Sequence, residues 1–388
     1  MQSNIIKFAF YKMCVSMFFM VPIAVLFWQE NGLSMTQIMI LQSIFSILVV
    51  ILEIPTGYFA DVYGRRKSLI LGALMMAIAM FVYSISNGFW DFLIGEIFFA
   101  LAISLISGAD SAFVYDSLRD LGREKEYQKV FGNIIFYGLI ALAVSNIIGG
   151  LVGKINLRLP WQIAIPFFSL AVLIAISMQE PRRYKAIIKK GYFLEILRIL
   201  KFSLVENQKL KWLIIYSGVI FGFNQSVLWT YQPYFQLGGV DILYFGFIFA
   251  SFQLVAAFTS KYAYFLEERI GQKFSLVMLV VLLAGSFLLM SNFVFLFSFS
   301  FAFLQQFVRG FREVVIKDYI NKIATSDIRA TVLSVESLGG RLIYALVVPF
   351  VGWIVDVYSL LQALFILGIT SLIFGVIALV FLRRVRVL

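Results

Sequence analysis

Apolar stretches of about twenty residues, the length a helix needs to cross a bilayer, follow one another along almost the entire chain with short polar turns between them. Six can be marked near Phe8–Trp28, Thr36–Tyr58, Ser68–Ser86, Trp90–Asp116, Phe131–Gly153 and Trp161–Met178. Six more follow near Trp212–Phe235, Tyr244–Phe265, Phe274–Met290, Phe293–Tyr319, Thr331–Val355 and Leu360–Leu382. Of the 388 residues, 61% are hydrophobic and 14% charged, against about 25% charged in a soluble domain. Lipid is therefore the solvent for most of the chain, and only helices satisfy their own backbone there. The expected fold is all-α, with twelve transmembrane helices and no room for a large soluble domain. Phe8–Trp28 is too long for a secretory signal and lacks a small-residue cleavage site, so it reads as the first span.

Composition removes several function classes. Cys14 is the sole cysteine and there is no histidine, so no intrachain disulfide, thiol–metal site or histidine-based hydrolase is expected. No nucleophile–base pair or metal-ligand cluster is visible, and the expectation is a protein that is not an enzyme and carries no metal or cofactor.

The net charge of +11 is a topology signal. One side of the membrane collects Lys7, Lys12, Arg65, Arg66, Lys67, Arg119, Arg123, Lys125, Lys129 and the basic residues of 182–211. In the second half it holds Lys261, Arg269, Lys273, Lys317, Lys322, Arg329, Arg383, Arg384 and Arg386, while the opposite side has only Lys154 and Arg158. By the positive-inside rule both termini face the cytoplasm of a cell whose inner (plasma) membrane holds the chain. Anionic lipid headgroups are a sufficient partner for these charges, and no nucleic acid is implied.

The longest polar connection is Gln179–Lys211, where Ile187, Phe193, Leu194, Ile196, Leu197, Leu200 and Leu204 alternate with basic residues at near-helical spacing. This reads as an amphipathic linker on the cytoplasmic membrane surface, either a plain connection or a docking segment. The chain then divides into a six-helix bundle over 1–178, the linker over 179–211, and a second six-helix bundle over 212–388.

After the second span stands Gly57-Tyr-Phe-Ala-Asp61-Val-Tyr-Gly64-Arg65-Arg66-Lys67. This resembles, at every defined position, the G-x-x-x-D-x-x-G-R-[KR]-[KR] loop of the major facilitator superfamily. Gly57 allows a close helix approach, Gly64 a tight turn, and the basic residues an anchor at the headgroups. A degenerate copy, Tyr264-Phe-Leu-Glu-Glu268-Arg269-Ile-Gly271-Gln272-Lys273, follows the eighth span, as a six-plus-six repeat requires. The resemblance implies two pseudo-symmetric six-helix bundles, a small-molecule substrate, a monomer, and a pairing of Asp61 with the region 330–334 at the start of helix 11. Within the superfamily the chain resembles the drug-efflux-like bacterial members, with two departures that set it apart from the classical drug/proton antiporters. Ser145-Asn146-Ile-Ile-Gly149-Gly150 lacks the Gly-Pro of the antiporter element in helix 5, and Gly95-Glu96 stands where those members carry an arginine in helix 4.

Away from the span ends the ionisable residues are Glu53, Glu96, Asp110, Arg309, Arg312, Glu313, Glu336 and Arg341. Facing lipid they would together cost on the order of 20 kcal/mol, so they must pair or border a wet interior. They lie on spans 2, 4, 10 and 11 and avoid spans 3, 6, 9 and 12, the four that are peripheral in the superfamily fold. Candidate substrate or proton residues are Asp110, Glu96, Arg309 and Arg312 with the polar stripes Gln305 on span 10 and Asn224, Gln225, Trp229 and Gln232 on span 7. Glu53, Glu313, Glu336 and Arg341 are candidates for structural charge. Two readings stay open at this point for the arginines: contacts to substrate, or interdomain pairs such as Asp110–Arg309 and Glu336–Arg341.

The function these features imply is secondary active transport of a small solute by alternating access, with protons as a coupling ion and efflux as the direction. The alternative is a non-transporting sensor or assembly platform on the same fold.

Overall fold

A computed structural model describes residues 2–182, 198, 200–325 and 328–387. Helices account for nearly all of them, and no strand occurs among the described residues. In chain order the helices are α1 (Gln2–Val15), α2 (Ala24–Glu30), α3 (Met35–Tyr63), α4 (Arg65–Ile85), α5 (Phe89–Ser107), α6 (Asp110–Arg119) and α7 (Tyr127–Gly153). There follow α8 (Leu159–Ser177), α9 (Gln208–Ser226), α10 (Tyr231–Leu237), α11 (Ile242–Asn292), α12 (Ala302–Ile323), α13 (Arg329–Val357) and α14 (Leu360–Arg384).

Nine helices among the described residues are long and apolar enough to cross a membrane. The remaining expected spans are accounted for by local chemistry. The 51-residue α11 bends at Gly271 and holds two spans, so it supplies one of the three remaining. The first is split between Val15 and Ala24, where Pro22 cannot continue a helical ladder. The tenth, α12, carries too many charged residues to register by hydropathy alone. Two further spans break where one continuous helix is expected: the fourth between Ser107 and Asp110, and the seventh through a 3₁₀ turn at Leu228–Thr230. Such breaks free backbone groups at membrane depth and are tolerated only where protein or water re-satisfies them. Of the amphipathic linker, residues 183–197 and 199, including Ile187, Phe193, Leu194, Ile196 and Leu197, lie outside the described residues.

The chain divides into two compact units, one comprising Met1–Leu33, Ile44–Ile187 and Asp241–Ser251, the other Ser34–Ser43, Ile188–Val240 and Phe252–Leu388. In the first, α4 packs on α5 and α8, and α1 on α7 and α8. The Tyr11 hydroxyl donates to the Leu69 carbonyl at 3.0 Å, Ser68 to Leu105 at 2.7 Å and Thr56 to Ser104 at 3.1 Å. In the second, α9 is the hub, packed on α12, α13 and α14. There the Tyr216 hydroxyl donates to Leu276 at 2.6 Å and Ser260 to Gly310 at 2.9 Å. The same tyrosine bond, from the first helix of a half to its third, is thus made once in each unit.

Candidate functional site

Both copies of the loop after the second helix of a half turn at a glycine with positive φ, Gly64 at +118° and Gly271 at +76°. Both are far from the right-handed region, where a side chain would strain the backbone. The resemblance in sequence is therefore a resemblance in backbone.

Their side-chain surroundings differ. The two amides that open α4, of Arg65 and Arg66, donate to the Glu180 carboxylate at 2.9 and 3.0 Å, an acidic cap on a helix N-terminus. Arg65 Nε bonds Asp116 at 2.7 Å, and the Arg66 guanidinium donates to the Ala175 and Ile176 carbonyls that end α8. Rather than reaching for the headgroups, these arginines pin the loop to α6 and α8. Lys67 is exposed, and Asp61, 51% exposed at its side chain, lies 3.9 Å from Arg65. The Gly57 backbone faces Gly108, whose Cβ would come within 3.4 Å of the Gly57 Cα. In the second loop the donors are neutral: Gln272 Nε2 donates to the Val387 carbonyl at 3.0 Å and the Tyr319 hydroxyl to the Glu267 carboxylate at 2.7 Å.

At membrane depth the first unit holds one charged pair joining two broken spans. Lys12 Nζ donates to Asp110 Oδ2 at 3.0 Å, with side chains 20% and 16% exposed. Asp110 is the first residue of α6, and its Oδ1 accepts the Ser111 amide at 2.6 Å. Ser104 is buried and Ser107 donates to its carbonyl at 3.2 Å. Charge alone pairs Asp110 with Arg309; the residue that meets it is Lys12, which in the sequence reads only as a topology charge. The signal is present, since Lys12 stands inside the run marked Phe8–Trp28. Glu96 is 2% exposed and hydrogen-bonded to the Tyr83 hydroxyl, among Phe92, Phe27 and Trp161. Glu53 is half-buried in the last turns of α3.

The second unit holds a sealed cluster. Arg312 Nη1 donates to Glu336 Oε1 at 3.0 Å and to the Ser217 hydroxyl at 3.2 Å. Ser217 in turn donates to Glu336, and the guanidinium lies over the Phe221 ring, 4.9 Å from its centroid. The side chains of Arg312 and Glu336 are 9% and 2% exposed. Glu336 thus takes Arg312, where a pair with Arg341 is one of the two open readings; Arg341 itself is half-buried on α13. Glu313 is exposed and pairs with Lys317. One and two turns from this cluster along α12, Arg309 Nη2 donates to Gln253 Oε1 at 2.8 Å, and Gln305 accepts the Tyr231 hydroxyl. Asn224 Nδ2 donates to the Gln305 carbonyl at 3.0 Å, and Trp229 Nε1 to the Tyr344 hydroxyl at 2.9 Å. Gln232 is fully buried and Gln225 half-buried. Ser217, Gln253 and Tyr344 are the partners sequence reasoning misses, because neutral residues in an apolar helix carry no signal until the fold brings a charge to them.

No group of three or more His, Cys, Asp or Glu side chains that could hold a metal ion occurs among the described residues.

The Major Facilitator Superfamily model matches residues 8–241 and 214–387. An uncharacterized transporter of Buchnera aphidicola is 26% identical over 307 residues, 76% of this chain and 74% of that one. The class H tetracycline resistance protein of Pasteurella multocida is 26% identical over 163 residues, 42% of this chain and 39% of that one. Among solved structures, the nucleoside transporter NupG superposes with a TM-score of 0.81 at 15% identity, covering 97% of this chain and 98% of that one. The chain is a member of the Major Facilitator Superfamily, a multi-pass membrane protein of a transporter family.

Proposed function

We propose that the protein is a secondary active transporter that exports a small solute by alternating access, using protons as the coupling ion, as a monomer with both termini in the cytoplasm. The observation that carries this reading is the Lys12–Asp110 pair. It ties two spans at the points where each is broken, and its side chains are 20% and 16% exposed. A carboxylate held by one ammonium at membrane depth has two ways to be neutralised, the ammonium or a proton. Protonating Asp110 frees Lys12 and loosens the contact between the spans, which couples proton binding to a helix movement. The efflux direction draws on the tetracycline resistance relative. The cytoplasmic termini draw on the basic residues, of which only Lys154 and Arg158 fall on the opposite side.

A substrate-independent test uses single cysteines at Asp110 and Gln225 in a Cys14→Ser background, probed with membrane-impermeant maleimides from each side in turn. Alternating access requires that both positions react, from one side or the other. If neither ever reacts from either side, these residues border no aqueous passage and the transport reading fails.

A further inference from the structure

We infer that Arg309 and Gln306 form the recognition point for an organic carboxylate, so that the transported solute is an amphipathic anion; this rests on the transport reading above.

Arg309 sits mid-way along α12, and its polar partner is the neutral Gln253, at 2.8 Å. No carboxylate lies within 4.0 Å of its guanidinium among the described residues, whereas the neighbouring Arg312 has Glu336 at 3.0 Å. At membrane depth the guanidinium therefore has no carboxylate in contact with it, and Glu313, one turn further along α12 and exposed, acts on it only from a distance. The backbone that carries it is fixed, because α11 and α12 are in backbone contact here: a Cβ on Gly310 would stand 2.3 Å from the Ala256 carbonyl oxygen. Five N–H donors in a planar fork suit a carboxylate.

A second, independent observation stands one turn away. Gln306 is 5% exposed, and its Oε1 has no hydrogen-bond partner. The network fixes which way that amide points. The single proton of the Tyr231 hydroxyl goes to Gln305 Oε1, so Tyr231 can only accept from Gln306, which it does from Nε2 at 3.1 Å. The Gln306 oxygen is thereby left as a buried acceptor with nothing to accept, which is unfavourable unless a donor arrives. Solute N–H or O–H groups beside the carboxylate meet that need. The rings of Tyr231 and Phe252, 5.3 Å apart, stand close by, Phe252 being the residue before Gln253, and suit an apolar body.

The test is equilibrium binding of benzoate, benzamide and benzylammonium to the purified full-length protein at matched ionic strength, three probes of one shape and three charges. Benzoate is expected to bind at least about tenfold tighter than either other probe, the ratio set by about 1.4 kcal/mol. Arg309→Gln removes that preference, and Arg309→Lys retains part of it. Equal binding of the three probes, no binding by any of them, or an unchanged preference in Arg309→Gln each overturns the assignment. The maleimide test above reads water access and not charge preference. Reactive cysteines with no benzoate preference would sink this inference alone, and unreactive ones would sink the transport reading.

Discussion

The two charge clusters grow from one place in the internal repeat and end in opposite conditions. Tyr11 and Tyr216 make the same bond to the third helix of their half, and the next residue in each case, Lys12 or Ser217, reaches into the cluster. In the first half that residue is the cation itself, facing one carboxylate on α6, with both side chains partly accessible. In the second it is a hydroxyl, and the cation has moved to α12 and the carboxylate to α13, sealed by three mutual bonds and a phenyl face. A cluster in which every member has two partners is a tether. A pair in which each charge can be satisfied by a proton or by water is a switch. The repeat supplied the position, and the exposure divided the labour.

The sealed cluster gives the largest expected effect. Glu336→Gln leaves the Arg312 guanidinium with only the exposed Glu313, at 3.9 Å, as a counter-charge and should destabilise the protein by about 3 kcal/mol in denaturant unfolding of the purified protein. The double variant Arg312→Met with Glu336→Leu removes both charges and should recover most of that loss. A Glu336→Gln protein as stable as wild type would mean that the cluster is wet, and the contrast between the halves would disappear.

The next effect tests whether the halves are equivalent at all. Gly64→Ala and Gly271→Ala each force a side chain into backbone conformations that L-residues rarely adopt, and each should cost about 1–3 kcal/mol. Near-equal costs would sustain the repeat on which the comparison rests. A large cost at Gly64 with none at Gly271 would show that the second loop relaxes, and that the ionic partners of the first are what hold the turn.

Asp110→Asn, by contrast, should lower stability by less than about 1 kcal/mol, since a partly exposed pair gains little. Solute flux in proteoliposomes should nevertheless fall by more than about tenfold, the usual scale for loss of a proton-transfer group. Normal flux in this variant would remove the residue from the mechanism and leave the pair a mere tether like its counterpart.

The apolar spans and the loop signature are legible in the sequence, because each is written in local hydropathy or spacing. Partner choice is not. Charge alone offers Asp110 an arginine, while Lys12, which meets it at 3.0 Å, is absorbed into a topology argument. The breaks at Ser107–Asp110 and Leu228–Thr230 are equally illegible, for Gly108 and Ala109 are common inside continuous spans and only packing decides whether the ladder yields there. Glu336 reads as a structural charge for which Arg341 is one open partner, yet the bond runs to Arg312, and register between helices is what a single chain does not print.

A third pair extends the series to its exposed limit. Lys154 Nζ donates to Asp241 Oδ2 at 2.9 Å with side chains 48% and 49% exposed. That bond, with the Leu243 amide, holds the Asp241 carboxyl below the usual carboxylate range. A depressed carboxylate stabilises the fold above its unfolded pKa of about 3.9 and loses that contribution as pH falls through its folded value. Lys154→Gln should therefore shift thermal stability slightly and equally at all pH values above about 5. The difference from wild type should vanish under acid as Asp241 takes up its proton, and at any pH in high salt, where an exposed pair is screened. A difference that survives high salt and acid alike would show that exposure does not rank these three pairs, and the division between tether and switch would need another cause.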